Sequence, residues 1–237
     1  MQQRKQLGFA LWHLVVLVAV GAILFSSAPA SANLLVDKVV IDFAAGAAPR
    51  SDVEVQNAGA ETLYVEVTPS EVLAPGLPGE QRVQGRDPEE RGLLVTPNRL
   101  VLEPGQRQLI RFALLSRPNE KDRVYRVTVT PVVGGISSSE TALKVLVGYD
   151  ILVIAQPPSA HAELQTDRNG QTLTITNMGN TNALLFNGQQ CDPSGGNCVD
   201  LPSRRIYSGA SWQIGLPYGT PATFNVTAAG KTTVQRF

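Results

Sequence analysis

From Glu140 to Pro157 the chain reads ETALKVLVGYDILVIAQP, and between Leu143 and Ala155 only Lys144, Gly148, Tyr149 and Asp150 interrupt Leu, Val, Ile and Ala. A run of this length exceeds the ordinary strand of about 5–6 residues and sets apolar side chains on both faces. Such a strand must be covered twice. Either the protein's own core does so, as for a central sandwich strand, or a partner chain supplies one of the covers. No segment carries a sustained 3.6-residue apolar period, so helices are not expected and the predicted fold class is all-β.

Shorter strand signals fill the rest of the chain. Leu34–Phe43 alternates loosely, Ser51–Gln56 alternates through Val53 and Val55, and Thr62–Thr68 does so through Leu63, Val65 and Val67. A stretch dense in Pro, Gly and charge, from Val72 to Gly92, reads as an exposed loop or insertion. Strands resume near Arg99–Leu102, Gln108–Leu114 and Arg123–Thr130, with Pro131 expected to end the last. Pro157 and Pro158 mark a hinge after the long strand. Beyond them His161–Thr166, Gln171–Thr176, Asn182–Phe186, Thr223–Thr227 and Thr232–Phe237 read as further strands. The spacing predicts two Ig-like β-sandwiches joined at an angle, over residues 33–157 and 158–237. No strong internal repeat is visible in the sequence.

Residues 1–32 have the makings of a secretory signal peptide: Arg4 and Lys5, an apolar run from Leu14 to Phe25, then Ala30-Ser31-Ala32 as a cleavage site. An uncleaved anchor is the alternative, with an apolar stretch short of the roughly 20 residues a span requires. Removing Arg4 and Lys5 from a chain balanced at 20 basic and 20 acidic residues leaves it near neutral. Without a basic stripe, nucleic acid is not an expected partner. Cys191 and Cys198, in CDPSGGNC, suit a disulfide in an oxidising compartment. A zinc site would need two more ligands, and His161 is the one histidine of the exported part. Nucleophile elbows and phosphate-binding glycine motifs are missing, and the carboxylates Asp87, Glu89 and Glu90 sit in the polar loop, so no enzyme, cofactor, metal site or small-molecule substrate is expected.

Two passages bracket the long strand and carry a resemblance. LLVTPNRLVLEPGQRQLIRFALLSRPNEKDRVYRVTVTPV, from Leu93 to Val132, resembles the signature of the periplasmic pilus chaperones of the PapD-like superfamily. It does so at Pro97, Arg99, Leu102, Pro104-Gly105-Gln106, Ile110-Arg111-Phe112 and Tyr125-Arg126. LTITNMGNTNALLFNGQQC, from Leu173 to Cys191, is similar to the start of that family's second domain, with Asn177, Gly179 and Asn180 forming a turn. The cysteine pair and LPSRRIYSGASW suggest its alternate, common-pilus branch.

The resemblance implies a periplasmic, non-enzymatic chaperone whose long strand completes an unfinished pilin subunit and which delivers that subunit to an outer-membrane usher. The expected donor strand is Leu143–Ile154. Its inserting face is either Leu143, Val145, Val147, Tyr149 and Ile151, the more apolar set, or Lys144, Leu146, Gly148, Asp150 and Leu152, and a bulge at Gly148 would exchange the two. Members of the best-studied branch of that family hold the subunit's terminal carboxylate with an arginine on the first strand and a lysine on the donor strand. Here Lys38 and Lys144 are the candidates, although Lys144 stands too far from Pro157, and Leu152 and Val153 occupy the matching region. Arg99 and Arg111 are expected to be structural. Self-association of the free protein is a further expectation. The rival functions are a structural pilus subunit, which would need an N-terminal donor extension that Asn33 and Leu34 do not leave, and a secreted binding module. The latter would need more exposed aromatics than Trp212 and Tyr218, and Trp212 is expected to pack in the second core.

Overall fold

The computed structural model describes residues 33–85, 87–132 and 146–237. The expected signal peptide and the expected donor residues Leu143, Lys144 and Val145 lie outside them. The described part of Asn33–Phe237 belongs to one compact unit built around two separate apolar cores.

Ten strands surround the first core: β1 (Leu34–Val36), β2 (Val40–Phe43), β3 (Arg50–Asn57), β4 (Leu63–Leu73), β5 (Gln81–Val83), β6 (Leu93–Thr96), β7 (Arg99–Leu102), β8 (Arg107–Leu114), β9 (Arg123–Val132) and β10 (Tyr149–Ala155). They form one sheet in the order β1-β3-β8-β6 and another in the order β2-β10-β9-β4-β5, with β7 also on β4. Alternation explains the layering: Val53 and Val55 of β3, and Ile110, Phe112 and Leu114 of β8, turn inward while Leu109 and Arg111 turn out. The second core lies between β11 (Leu164–Asn169), β12 (Thr172–Asn177) and β16 (Ser211–Gly215) on one side and a second sheet on the other. That sheet contains β13 (Ala183–Cys191), β14 (Cys198–Leu201), β15 (Arg204–Ile206), β17 (Thr223–Ala228) and β18 (Lys231–Arg236). Trp212 packs against this core and meets Phe224 edge-on, ring centroids 5.9 Å apart.

Several expectations change. Leu34–Phe43 is two strands in two sheets, because Leu34 and then Ile41 and Phe43 all face the core and this change of parity cannot be made within one pleated strand. Asp37 makes the crossing: its N–H donates to the Glu54 carbonyl and its carboxylate accepts from the Glu54 N–H at 2.9 Å. Pro131 does not end β9, which continues to Val132; the proline lies in the stretch that β10 no longer flanks. Among the described residues there is one helical turn, α1 (Pro88–Arg91), where the Asp87 carboxylate caps the Glu89 N–H at 3.0 Å and Gly92 closes the turn at φ 72°. The polar stretch around it is also less exposed than expected. Its first residues continue β4, and Leu77 packs against the second core.

An internal repeat, invisible by eye, appears in the hydrogen bonding. At the end of β3 the Asn57 amide donates to the carbonyls of Glu61 (2.7 Å) and Leu102 (2.8 Å) and accepts from the Gly59 N–H (2.9 Å). At the end of β12 the Asn177 amide donates to the carbonyls of Thr181 (2.7 Å) and Ile206 (3.0 Å) and accepts from the Gly179 N–H (3.0 Å). The backbone carbonyls of the two asparagines accept in turn from Gly105 and Gly209. Each sandwich is thus closed by the same Asn-Xaa-Gly corner, seated on a turn whose glycine has φ 76°.

Candidate functional site

β10 is covered on both faces by this chain itself. Ile151, Val153 and Ala155 belong to the first core, while Leu152 and Ile154 join Val72 and Val124 in a small cluster on the opposite face, capped by Tyr207 of the second sandwich. Its two edges differ. One edge pairs antiparallel with β9 along its whole length, Tyr149 opposite Val129 through Ala155 opposite Arg123. The other edge pairs with β2, the one parallel pairing among the described strands, and only from Leu152 opposite Val40 to Ala155 opposite Phe43. Along Tyr149–Ile151 no described strand occupies that second edge. An unpaired edge next to an apolar segment is a template for another chain.

The expected strand is therefore shorter than the sequence suggested. Leu146, Val147 and Gly148 lie outside any strand, and Val147 is 44% exposed. Gly148 stands just before the β9–β10 register, which is unbroken from Tyr149 to Ala155; a Cβ there would come 3.0 Å from Thr130 Oγ1. Of the expected inserting residues, Ile151 is wholly buried in the first core, and Tyr149 is half-buried with its hydroxyl donating to the Leu34 carbonyl at 3.0 Å. At these two positions the main-chain edge is open while the side chains are committed. Val147 is the described member of the set whose side chain is exposed.

Lys38 sits between β1 and β2, its ammonium 3.7 Å from the Asp37 carboxylate. The cation that sequence reasoning passed over is Arg126. It lies on β9 opposite Leu152, and its Nη1 reaches the Asp150 carbonyl at 3.4 Å and the Asp150 carboxylate at 3.9 Å. Arg82 holds that carboxylate more closely, at 2.8 Å. Asp150 thus has a shorter partner, and Arg126 is only loosely engaged, on the β9 side of β10. Tyr125-Arg126 stood in the family-like motif, but only the pairing of β9 with β10 reveals where the arginine goes. Arg111 forms two bonds to Asp52 (2.8 and 2.9 Å) and Arg99 lies 3.9 Å from Glu66, both on outward faces.

Where the sandwiches meet, Asp122 accepts from Thr181 Oγ1, Asn182 N and Asn182 Nδ2, each at 2.8 Å, and Arg205 donates to the Asn182 side chain. Burial raises the Asp122 carboxyl above its ordinary range, against the pull of the Asn182 and Thr181 hydrogen bonds. Asp42 is also raised, first by burial and then by the charge of Asp122, while Gln156 donates to it at 2.9 Å. Among the described residues no group of three or more His, Cys, Asp or Glu is arranged to hold a metal, and no helix is long and apolar enough to cross a membrane.

Cys191 and Cys198 are disulfide-bonded across β13 and β14. Within the closed loop Asp192 accepts from Ser194 (2.7 Å), Asn197 (2.8 Å) and the Gly196 N–H (3.0 Å), bonds that hold its carboxyl down at about 2. Loop-closure entropy assigns a bridge over so short a loop about 2.5 kcal/mol. A Cys191→Ser/Cys198→Ser variant is expected to fold but to lose about that much in urea unfolding. A loss below 0.5 kcal/mol, on the order of measurement error for such a fit, would show that the Asp192 bonds alone hold the loop.

No family model matches the chain. A CS1 fimbrial protein of Escherichia coli, described as a subunit of those fimbriae, is 26% identical over 175 residues, spanning 69% of this chain and 73% of that protein. Among solved structures, the class 5 fimbriae chaperone CfaA matches with TM-score 0.62 at 24% identity, covering 86% of this chain and 98% of that one. The SafB chaperone of Salmonella enterica, solved with the SafA pilin, matches with TM-score 0.62 at 15% identity, covering 89% and 98%. The chain shares the two-sandwich fold of these two fimbrial chaperones.

Proposed function

We propose that this protein is a periplasmic, non-catalytic chaperone that captures fimbrial subunits through strand pairing at the open edge of β10 and passes them to an outer-membrane usher. The observation that carries this reading is the free Tyr149–Ile151 edge, continuous with the exposed Val147, on a fold shared with fimbrial chaperones. A pilin strand laid there gains main-chain hydrogen bonds from the edge and apolar contacts from Leu143, Val145 and Val147. Tyr149 and Ile151 contribute backbone and leave their side chains in the first core. The likeness to a CS1 fimbrial protein described as a subunit favours a structural role in the fimbria as the second reading. Two sandwiches matching 98% of a chaperone chain weigh against it.

For the pilin's terminal carboxylate the candidate cation is Arg126, loosely held by Asp150 across β9 and β10; Lys38, between β1 and β2, and Lys144, outside the described residues, are the alternatives. A charge-assisted hydrogen bond contributes about 1.5–3 kcal/mol. Arg126→Ala is therefore expected to weaken pilin capture by roughly ten- to a hundredfold, measured by titration with a purified pilin. Lys38→Ala, which removes a half-exposed and already paired charge, is expected to change it by less than about threefold. The opposite ranking would return the anchor to Lys38.

The reading as a whole is tested by affinity isolation of the tagged chain from a periplasm co-expressing candidate fimbrial subunits. A stoichiometric β-rich pilin should co-elute. Recovery of bare or self-associated protein alone, under conditions where the pilins are present, would overturn it.

A further inference from the structure

The loop joining β4 to β5, Ala74–Glu80, belongs by sequence to the first sandwich, yet it touches the second. Leu77 packs against the second core, and a Cβ at Gly76 would stand 3.2 Å from Tyr207 Cδ2 and 3.3 Å from Ala210 Cβ, so the backbone here lies flush on the other sandwich. The loop holds its own shape: Leu77 N donates to the Ala74 carbonyl (3.1 Å), Glu80 N to the Leu77 carbonyl (3.0 Å), and Gly76 N to the Glu80 carboxylate (2.7 Å). Gly76 takes φ 73° and Gly79 φ 96°, conformations suited to glycine.

The contact is reciprocal. Tyr207 of the second sandwich reaches back onto Val72, Val124, Leu152 and Ile154 of the first. Between the two reaches lies a crevice of about 250 Å³ lined by residues that include Glu71, Lys121, Arg123 and Ser208. Each sandwich thus inserts one apolar group into the other, on top of the polar join at Asp122. Interfaces between domains of one chain are ordinarily mobile unless they are large and apolar. Two crossed apolar contacts oppose both opening and sliding.

We infer that the Ala74–Glu80 loop is a strap which, with Tyr207, fixes the angle between the sandwiches and supports the back of β10. Releasing the strap frees the second sandwich to swing and withdraws Tyr207 from Leu152 and Ile154. The strap therefore couples the angle between sandwiches to the firmness of the β10 edge. This goes beyond pilin capture and can be tested without any pilin.

The test uses the whole exported chain with spin labels at Arg99→Cys and Val234→Cys, one in each sandwich, and pulsed electron resonance to read their separation. The parent should give one narrow distance distribution and a single calorimetric transition. Leu77→Asp should widen the distribution about twofold or more and split the transition, while Leu77→Met should leave both as in the parent. Because Leu77 is a half-buried loop residue, both sandwiches should still melt cooperatively. A second variant, with Pro75–Gly79 replaced by a Gly/Ser loop of equal length, guards against misfolding specific to the aspartate. Distributions as narrow as the parent's in both variants would overturn the strap.

Discussion

Val147→Asp is expected to abolish pilin capture while leaving the free protein as stable as the parent. Val147 is 44% exposed and outside any strand, so the free chain has little to lose from a carboxylate there. In the complex the same side chain would enter an apolar groove. The valine's burial, about 1.5–3 kcal/mol, would be lost, and desolvating an unpaired carboxylate would add several kcal/mol. A total of about 4 kcal/mol or more corresponds to a weakening of roughly a thousandfold or beyond. Leu146→Asp, on the other face of the segment, should cost at most about a tenth as much in affinity. Titration of both variants with one purified pilin decides the face. Equal losses would mean that the segment does not enter the groove as an alternating strand, and a larger loss at Leu146 would assign insertion to the even-numbered set.

The second large effect concerns stability. Asn177 is fully buried, and its amide serves the Thr181 carbonyl, the Ile206 carbonyl and the Gly179 N–H together. Alanine would leave three main-chain groups in the second sandwich without that partner. At about 1–3 kcal/mol for each buried group left unpaired, partly relieved by entering water, a loss of about 3–4 kcal/mol is expected. For a domain of this size that amounts to a fall in melting temperature on the order of 15 °C. Asn57→Ala should act alike on the first sandwich. Calorimetry on both variants would show it, and a loss under about 1 kcal/mol in each would mean that the corner is held by its glycine turns and not by the amide.

What could be read from the sequence followed the strength of the local pattern. β3 and β8 alternate cleanly because one face of each meets the core, so their inward residues were legible. β14, β15 and β16 are short and largely exposed, and gave no signal. Leu34–Phe43 looked like one strand because a change of sheet leaves the composition untouched and alters only the parity of the buried positions. The Asn corners were recoverable in principle, since NAG and NMG each end an alternating run, but their carbonyl partners lie up to 45 positions away. The apolar run at β10 was legible as doubly covered. Its covers, β2 at one edge and Tyr207 at one face, come from distant parts of the chain. For the same reason Arg126 was visible as a motif residue and invisible as a neighbour of Asp150, and Leu77 looked like a solvent-facing loop residue until the second sandwich stood beneath it.

The partial parallel pairing of β2 has one more consequence. A guest strand running in the same direction as β10 can advance along its edge only until it meets Val40, where β2 already fills the groove opposite Leu152. For such a guest β2 would act as a buffer stop on a track. The point at which it joins would set where the incoming chain ends and so which guest residue falls opposite each residue of β10. Moving the stop by two residues would shift every pairing by one full pleat repeat without altering any side chain that inserts.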